Sequence, residues 1–321
     1  MAGHRTALKR VVIFGGYGAV GREAAGVLRR RVPEVVVAGR DLAKARGVPG
    51  AVPMRVDLRG DLDEALAGAD AVVMCVDQGN ARVARACFER GVHYVDVTAS
   101  YGIVREIEAL DAGDATGVLS VGLAPGVTNL LARLCGGSGV DIGVLLGSGE
   151  RHGAAAVEWT LDALAEVGPA WTMLFPEPCG RRVVRGFPFP DQHTLPRTAG
   201  FERVRTGLCL DSRALTGLLA GPVSRLVRRP RGRALVLGAL TRVHVGGEGF
   251  AVAAASERGW ASFSGRRQSR ASGLAAALAV RELEGMPPGV HHLDQVVEPE
   301  RFLREMASYG FGFASGEYDA G

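Results

Sequence analysis

The run Gly15-Gly16-Tyr17-Gly18-Ala19-Val20-Gly21 constrains the fold of this chain more than any other feature. It follows directly on an apolar stretch at residues 11–14. It opens a helical pattern with apolar positions at Val20, Ala24, Val27 and Leu28. Gly16, Gly18 and Gly21 between a strand and a helix have the spacing of the dinucleotide-binding fingerprint. The first glycine is expected to permit the tight turn, the second to let the backbone approach a pyrophosphate, and the third to let helix and strand pack closely. The helix N-terminus then offers free N–H groups and a favourable dipole to the phosphates. Tyr17, Ala19 and Val20 complete the expected cofactor loop.

The next strand predicts which dinucleotide is bound. Residues 35–38 form a buried strand that ends Val37-Ala38-Gly39-Arg40. An NAD site usually places Asp or Glu at this end, to accept hydrogen bonds from the ribose hydroxyls. Gly39 supplies no carboxylate, and Arg40 suits bidentate pairing with a 2′-phosphate. Asp41 lies one step further on, and Lys44 and Arg46 add positive charge. The expected cofactor is NADP, and Gly39→Asp is expected to move preference towards NADH.

Further strands at 52–56, 71–76, 92–97 and 118–122 alternate with helices at 61–67, 81–90 and 103–112. That rhythm predicts an α/β fold with a Rossmann-type doubly wound parallel sheet. Continuous apolar strands suit a sheet covered on both faces. The 46 glycines are roughly double the usual ~7% share, as many tight turns require. After residue 137 the rhythm changes. Strands at 140–146, 181–185, 204–210, 240–245 and 250–255 have longer connections. Helices are expected near 154–166 and 213–227, the second broken at Gly221-Pro222. This part reads as an inserted α+β domain with a mostly antiparallel sheet. Pro176, Pro178, Pro188 and Pro190 predict that much of 172–190 is loop, a candidate substrate lid. Helices at 272–283 and 299–307 follow, then a loose tail from Gly310. The expected division is a dinucleotide-binding domain over 1–137, a substrate and dimerisation domain over 138–267, and C-terminal helices over 268–321 that return to the first domain.

Composition narrows the function classes. The net charge is +4, and arginines cluster only at 29–31 and 225–233, without interleaved aromatic residues. This argues against a nucleic-acid groove. No run approaches the ~20 apolar residues of a membrane span, and residues 11–14 are far shorter than a signal-peptide core. Cys75, Cys87, Cys135, Cys179 and Cys209 are odd in number and contain no C-x-x-C, as in a reduced cytoplasmic protein. His291-His292 lacks ligand spacing, so no metal is expected. The apolar strand at 250–255 is expected to need covering, which points to a homodimer through the second domain's sheet.

Hydride transfer to an imine or carbonyl needs a proton donor. Tyr101 stands after the fifth strand, on the edge where open α/β sheets bind ligands, and is the first candidate. Asp96 and Thr98 share that strand end, and Thr98 is a candidate cofactor contact. Asp77 and Asn80 follow the fourth strand as further cofactor contacts, although Asn80 also suits a helix cap. His152 and His193 are candidate acids in a domain cleft; each also reads as a surface-loop histidine.

The stretch His93-Tyr94-Val95-Asp96-Val97-Thr98-Ala99-Ser100-Tyr101, followed by Gly122-Leu123-Ala124-Pro125-Gly126, resembles the saccharopine dehydrogenase / saccharopine reductase family. The likeness is strong over 10–135, moderate over 270–305 and loose between. It implies a Rossmann domain, a second domain inserted before the C-terminal helices, and a nicotinamide-dependent redox step at a carbon–nitrogen bond. The implied function is an NADPH-dependent reductase acting on an imine of a small metabolite or biosynthetic intermediate. Ala124 stands where the family's reductases usually carry an acid. Two alternatives therefore stay open: an enoyl reductase on a polyketide- or lipid-like substrate, and a non-catalytic NADP(H)-binding protein.

Overall fold

The computed structural model describes residues 8–150, 154–218, 223–242 and 246–318. In chain order the strands begin with β1 (Arg10–Phe14), β2 (Glu34–Gly39), β3 (Val52–Arg55), β4 (Ala71–Met74), β5 (His93–Asp96) and β6 (Thr116–Leu119). The middle of the chain adds β7 (Gly139–Leu146), β8 (Ala170–Leu174), β9 (Arg181–Gly186), β10 (Arg203–Leu210), β11 (Gly249–Ala255) and β12 (Gly259–Arg266). The last two are β13 (Gly289–His292) and β14 (Gly312–Glu317). Contacts divide the chain into two compact units. The first holds Met1–Gly122 and Ser269–Val297; the second holds Leu123–Gln268 and Glu298–Gly321.

The first unit is a Rossmann-type α/β layer structure. Its sheet runs β13-β6-β5-β4-β1-β2-β3, and every pairing is parallel. The strands are apolar without interruption because both faces are covered. Val11, Val12, Ile13 and Phe14 in β1 and Val35, Val36, Val37 and Ala38 in β2 are all buried. The helix Gln268–Glu282 crosses the helix Ala19–Leu28 closely: a Cβ on Gly273 would lie 2.6 Å from the Val20 carbonyl oxygen. Only glycine allows that approach. β13 then joins the sheet beside β6.

The second unit carries a mixed sheet in the order β14-β12-β11-β7-β10-β9-β8. β7 and β10 are parallel and the other pairings antiparallel. Phe250, Phe263 and Phe311 stack with ring centroids 5.2–6.1 Å apart, fixing the Pro299–Ser308 end of the chain to this sheet.

Several expectations change. The first boundary falls after Gly122 and not at 137, and residues 298–321 lie with the second unit instead of returning to the first. Residues 240–242 close a helix, Pro230–Arg242; 243–245 lie outside the described residues, as do Gly221 and Pro222. The strand at 250–255 is interior and buried, paired on both sides by β12 and β7. It is no exposed surface in need of a partner. The tail is no loose end, because β14 completes the sheet on β12. The proline-rich segment contains β8 and β9 and leads into a helix, Asp191–Thr198. No described helix is long and apolar enough to cross a membrane.

Candidate functional site

The glycine loop is built by close approach. Gly15 takes the left-handed φ of 74°, so the sharp residue of the turn is Gly15 and not Gly16. A Cβ on Gly16 would stand 3.0 Å from both Val37 methyls, which holds the loop against β2. A Cβ on Gly21 would lie 2.5 Å from the Gly16 Cα and 2.6 Å from the Gly15 carbonyl oxygen. Gly18 is exposed and donates its N–H to Gly15 O at 2.8 Å. It precedes the helix Ala19–Leu28, which no side chain caps. The first-turn amides of that helix therefore have no side-chain acceptor, which is the arrangement that receives phosphate.

The far side of this cradle lies where β2 ends. Gly39 sits under the Tyr17 ring. The Tyr17 hydroxyl accepts the Asp41 N–H at 3.4 Å. The Tyr17 carbonyl accepts Arg22 Nε at 2.8 Å, and Arg22 Nη1 reaches Gly47 O at 3.1 Å. Asp41 is the N-cap of the helix Leu42–Arg46, accepting the Lys44 N–H at 3.1 Å. That bond holds the Asp41 carboxyl below its ordinary range. Arg40 is exposed and makes no hydrogen bond or ion pair among the described residues. The one acid near the strand end is thus committed to a helix cap, while the guanidinium beside it is uncommitted. These residues fit NADP.

Beyond β4 and β5 lies a buried polar knot. Asp96 Oδ2 accepts the Tyr94 hydroxyl at 2.6 Å and Asn80 Nδ2 at 3.0 Å, and its Oδ1 accepts the Thr98 N–H at 2.8 Å. Burial pushes Asp96 up to about 6 against these donors. Asn80 is not the N-cap of its helix, Asn80–Phe88; Gly79 is. Its amide oxygen instead accepts the Gln78 N–H at 2.7 Å, which shapes the loop that carries Asp77. Desolvation raises the Asp77 carboxyl, opposed by a hydrogen bond from the Thr98 side chain. Tyr101 opens the helix Tyr101–Glu108 at the end of β5, where Ser100 is the cap. So Asp77, Asn80 and Thr98 lie together at the carboxyl ends of two neighbouring strands, while Tyr101, at the start of the next helix, packs against the apolar core of this unit.

Two further constellations join residues that sequence spacing does not connect, and the motifs above miss both. Ser120, just past β6 with a left-handed φ of 55°, shares a hydrogen bond of 2.8 Å with His292 Nδ1. His292 Nε2 meets Glu108 at 2.7 Å. This ties β13 to the sheet, so His292 has a packing partner on each side. In the second unit, Asp191 is fully buried. Its Oδ1 accepts the Thr206 hydroxyl at 2.6 Å, and its Oδ2 has no partner among the described residues. Burial pushes it up to about 6. Asn129 beside it accepts the Gly126 N–H and donates to Thr194, which pins the Leu123–Gly126 part of the turn. Pro190-Asp191 is the sequence signal of a helix start that would have located this acid. His193 is exposed on the same helix. His152 lies outside the described residues. No group of three or more His, Cys, Asp or Glu able to hold a metal occurs among the described residues.

Residues 11–121 match the family model described as the saccharopine dehydrogenase NADP binding domain, in agreement with the resemblance read from the sequence. Over this stretch the first unit is therefore similar to an NADP-binding domain of the dehydrogenase type. A search of curated proteins finds no match. Among solved structures, apo saccharopine dehydrogenase (L-Glu forming) from Saccharomyces cerevisiae matches with a TM-score of 0.67 at 15% identity, covering 97% of this chain and 100% of the other. The fold is thus shared across the whole length. A myo-inositol dehydrogenase from Corynebacterium glutamicum matches with a TM-score of 0.47 at 12% identity, covering 98% and 100%. GenD2 from gentamicin A biosynthesis, in complex with NAD, matches with a TM-score of 0.45 at 17% identity, covering 100% and 99%.

Proposed function

On the premise that residues 11–121 are a saccharopine dehydrogenase-type NADP binding domain, we propose that the chain is an NADPH-dependent reductase of the C=N bond of a small metabolite or biosynthetic intermediate. The end of β2 carries this reading: Gly39 offers no carboxylate, Asp41 is held as a helix cap, and Arg40 is uncommitted. When bound, the nicotinamide supplies hydride. The protein seats the pyrophosphate on the N-terminus of the helix Ala19–Leu28 and pairs Arg40 with the 2′-phosphate. Asp77, on the loop that buried Asn80 and Thr98 hold in place, would face the ribose, and the Tyr101 phenol would donate the proton that the reduced nitrogen takes up. NADPH should bind at least about tenfold tighter than NADH. A charge-assisted contact contributes about 1.5–3 kcal/mol. Arg40→Ala should therefore weaken NADPH by roughly ten- to a hundredfold and leave NADH unchanged. Titration by nicotinamide fluorescence measures both, and equal wild-type affinities would overturn the assignment.

Ala124 favours a second reading, because a C=C substrate has no amino group that calls for a carboxylate in the turn. Consumption of NADPH with a cyclic imine, but not with an α,β-unsaturated thioester, supports the first reading. The reverse supports the second, and consumption with neither points to a non-catalytic NADP(H)-binding protein.

The proposed setting is the cytoplasm, which suits five unbridged cysteines, and the proposed assembly is a homodimer. Leu174 and Val183 stand exposed on β8 and β9, at the free edge of the second sheet, where an apolar edge calls for cover. Light scattering at micromolar concentration should give twice the chain mass, and Leu174→Lys should halve it. A monomeric wild type would remove this part of the proposal.

A further inference from the structure

Three atoms of Tyr17 occupy the space in front of Gly39. A Cβ built on Gly39 would meet Cε1 at 2.5 Å, Cζ at 2.9 Å and the hydroxyl oxygen at 2.9 Å. The obstruction is the far end of the Tyr17 side chain: Cε1, Cζ and the hydroxyl. The Tyr17 backbone is held through its carbonyl by Arg22, which is itself anchored on Gly47 O. The ring's far end is tied to the Asp41 N–H. To clear position 39 the ring must swing away and give up its contact with the Asp41 N–H. Position 39 is where a ribose-binding carboxylate stands in an NAD site, and an aspartate there needs the volume this ring fills.

We infer that Tyr17 determines cofactor preference: its ring excludes a carboxylate from position 39 and so keeps the strand end open to a phosphate. The inference rests on the NADPH reading above. Tyr17 and Gly39 are then a coupled pair, and the single change Gly39→Asp does not produce an NADH site as the sequence alone suggests. The added carboxyl displaces the ring, the Asp41 N–H loses its contact with the Tyr17 hydroxyl, and the strand end is deformed for both dinucleotides. Removing the ring first makes room for the acid.

The test compares wild type with Gly39→Ala, Gly39→Asp, Tyr17→Ala, Tyr17→Phe and the double variants Tyr17→Ala/Gly39→Ala and Tyr17→Ala/Gly39→Asp. Thermal midpoints are measured without dinucleotide, and NADPH and NADH are titrated by fluorescence. Gly39→Ala should lower the midpoint most in the wild type, less in Tyr17→Phe, which lacks the hydroxyl contact, and leave it nearly unchanged in Tyr17→Ala. Gly39→Asp alone should weaken NADPH with no gain for NADH. The Tyr17→Ala/Gly39→Asp protein should bind NADH about tenfold or more tighter than Gly39→Asp does and prefer it to NADPH. Equal midpoint losses with and without the ring would overturn the inference. So would a Gly39→Asp protein that gains NADH as fully as the double variant, or a double variant that gains none. A wild type that prefers NADH would remove the NADPH reading, while the midpoint comparison still decides whether Tyr17 excludes a side chain at 39.

Discussion

Gly21→Ala should cripple dinucleotide binding, and Gly26→Ala on the same helix should not. The two substitutions add the same methyl group. At Gly21 it arrives 2.5 Å from the Gly16 Cα and 2.6 Å from the Gly15 oxygen, both backbone atoms that no rotamer change can clear. At Gly26 there is nothing within 4 Å. Overpacking against fixed atoms costs about 1–3 kcal/mol. Relief comes only by pushing the helix Ala19–Leu28 away from the loop, which moves the amides meant for the pyrophosphate. NADPH affinity should fall by roughly ten- to a hundredfold, with a lower thermal midpoint. Gly26→Ala replaces glycine in a helix interior by the best helix former and should stabilise by up to about 1 kcal/mol. Equal affinities in the two variants would show that the third glycine of the loop is not a packing requirement.

Asp191→Asn should stabilise the protein near neutral pH and lose that advantage in acid. The wild-type carboxyl titrates at about 6 in the folded chain, against an ordinary value of 3.8. Between about pH 4 and 6 the folded state therefore holds a proton that the unfolded chain has released, and stability falls as pH rises through that window. Above it, the folded protein carries a buried charge whose Oδ2 has no partner among the described residues. The cost of a shift of about two pKa units is about 3 kcal/mol at most. Asparagine keeps the acceptor for the Thr206 hydroxyl and never ionises. The gain in denaturant midpoint should be largest near pH 7.5 and vanish near pH 4. A gain that does not vary with pH, or a loss throughout, would count against a charged Asp191.

Features set by neighbours along the chain are legible in the amino-acid sequence. The loop from Gly15 to Gly21 and the strands β1 to β6 depend on local periodicity and on turns a few residues long. β13 leaves no such signal, because Gly289–His292 is four residues long and finds its partner, β6, far back in the chain. β14 reads as a loose tail because Gly312–Glu317 is mostly small and exposed; β12 recruits it. Residues 240–245 are rich in β-branched side chains like a strand, yet 240–242 belong to a helix that starts at Pro230. In the site, the role of Arg40 is readable from its position after β2. The capping role of Asp41 needs the Lys44 amide, and the Tyr17–Gly39 contact needs the loop and the strand end in three dimensions. Asp191 is signalled only as a helix start after Pro190; its burial and its bond with Thr206 need the strand β10 in three dimensions.

The pairing of Gly289 with Thr116 also sets an order of events during synthesis. When the ribosome has made β1 to β6, six of the seven strands of the first sheet exist, but β6 presents a bare row of backbone donors and acceptors. Its cover, β13, is made only after the whole middle of the chain. Until then this nearly finished layer is an open template for another nascent chain. Closing it joins segments about 170 residues apart, a long loop that makes this step slow. A fragment ending at Gly122 lacks both this last strand and the helix Gln268–Glu282 that covers the helix Ala19–Leu28, so it would expose an unpaired edge and a bare apolar face together.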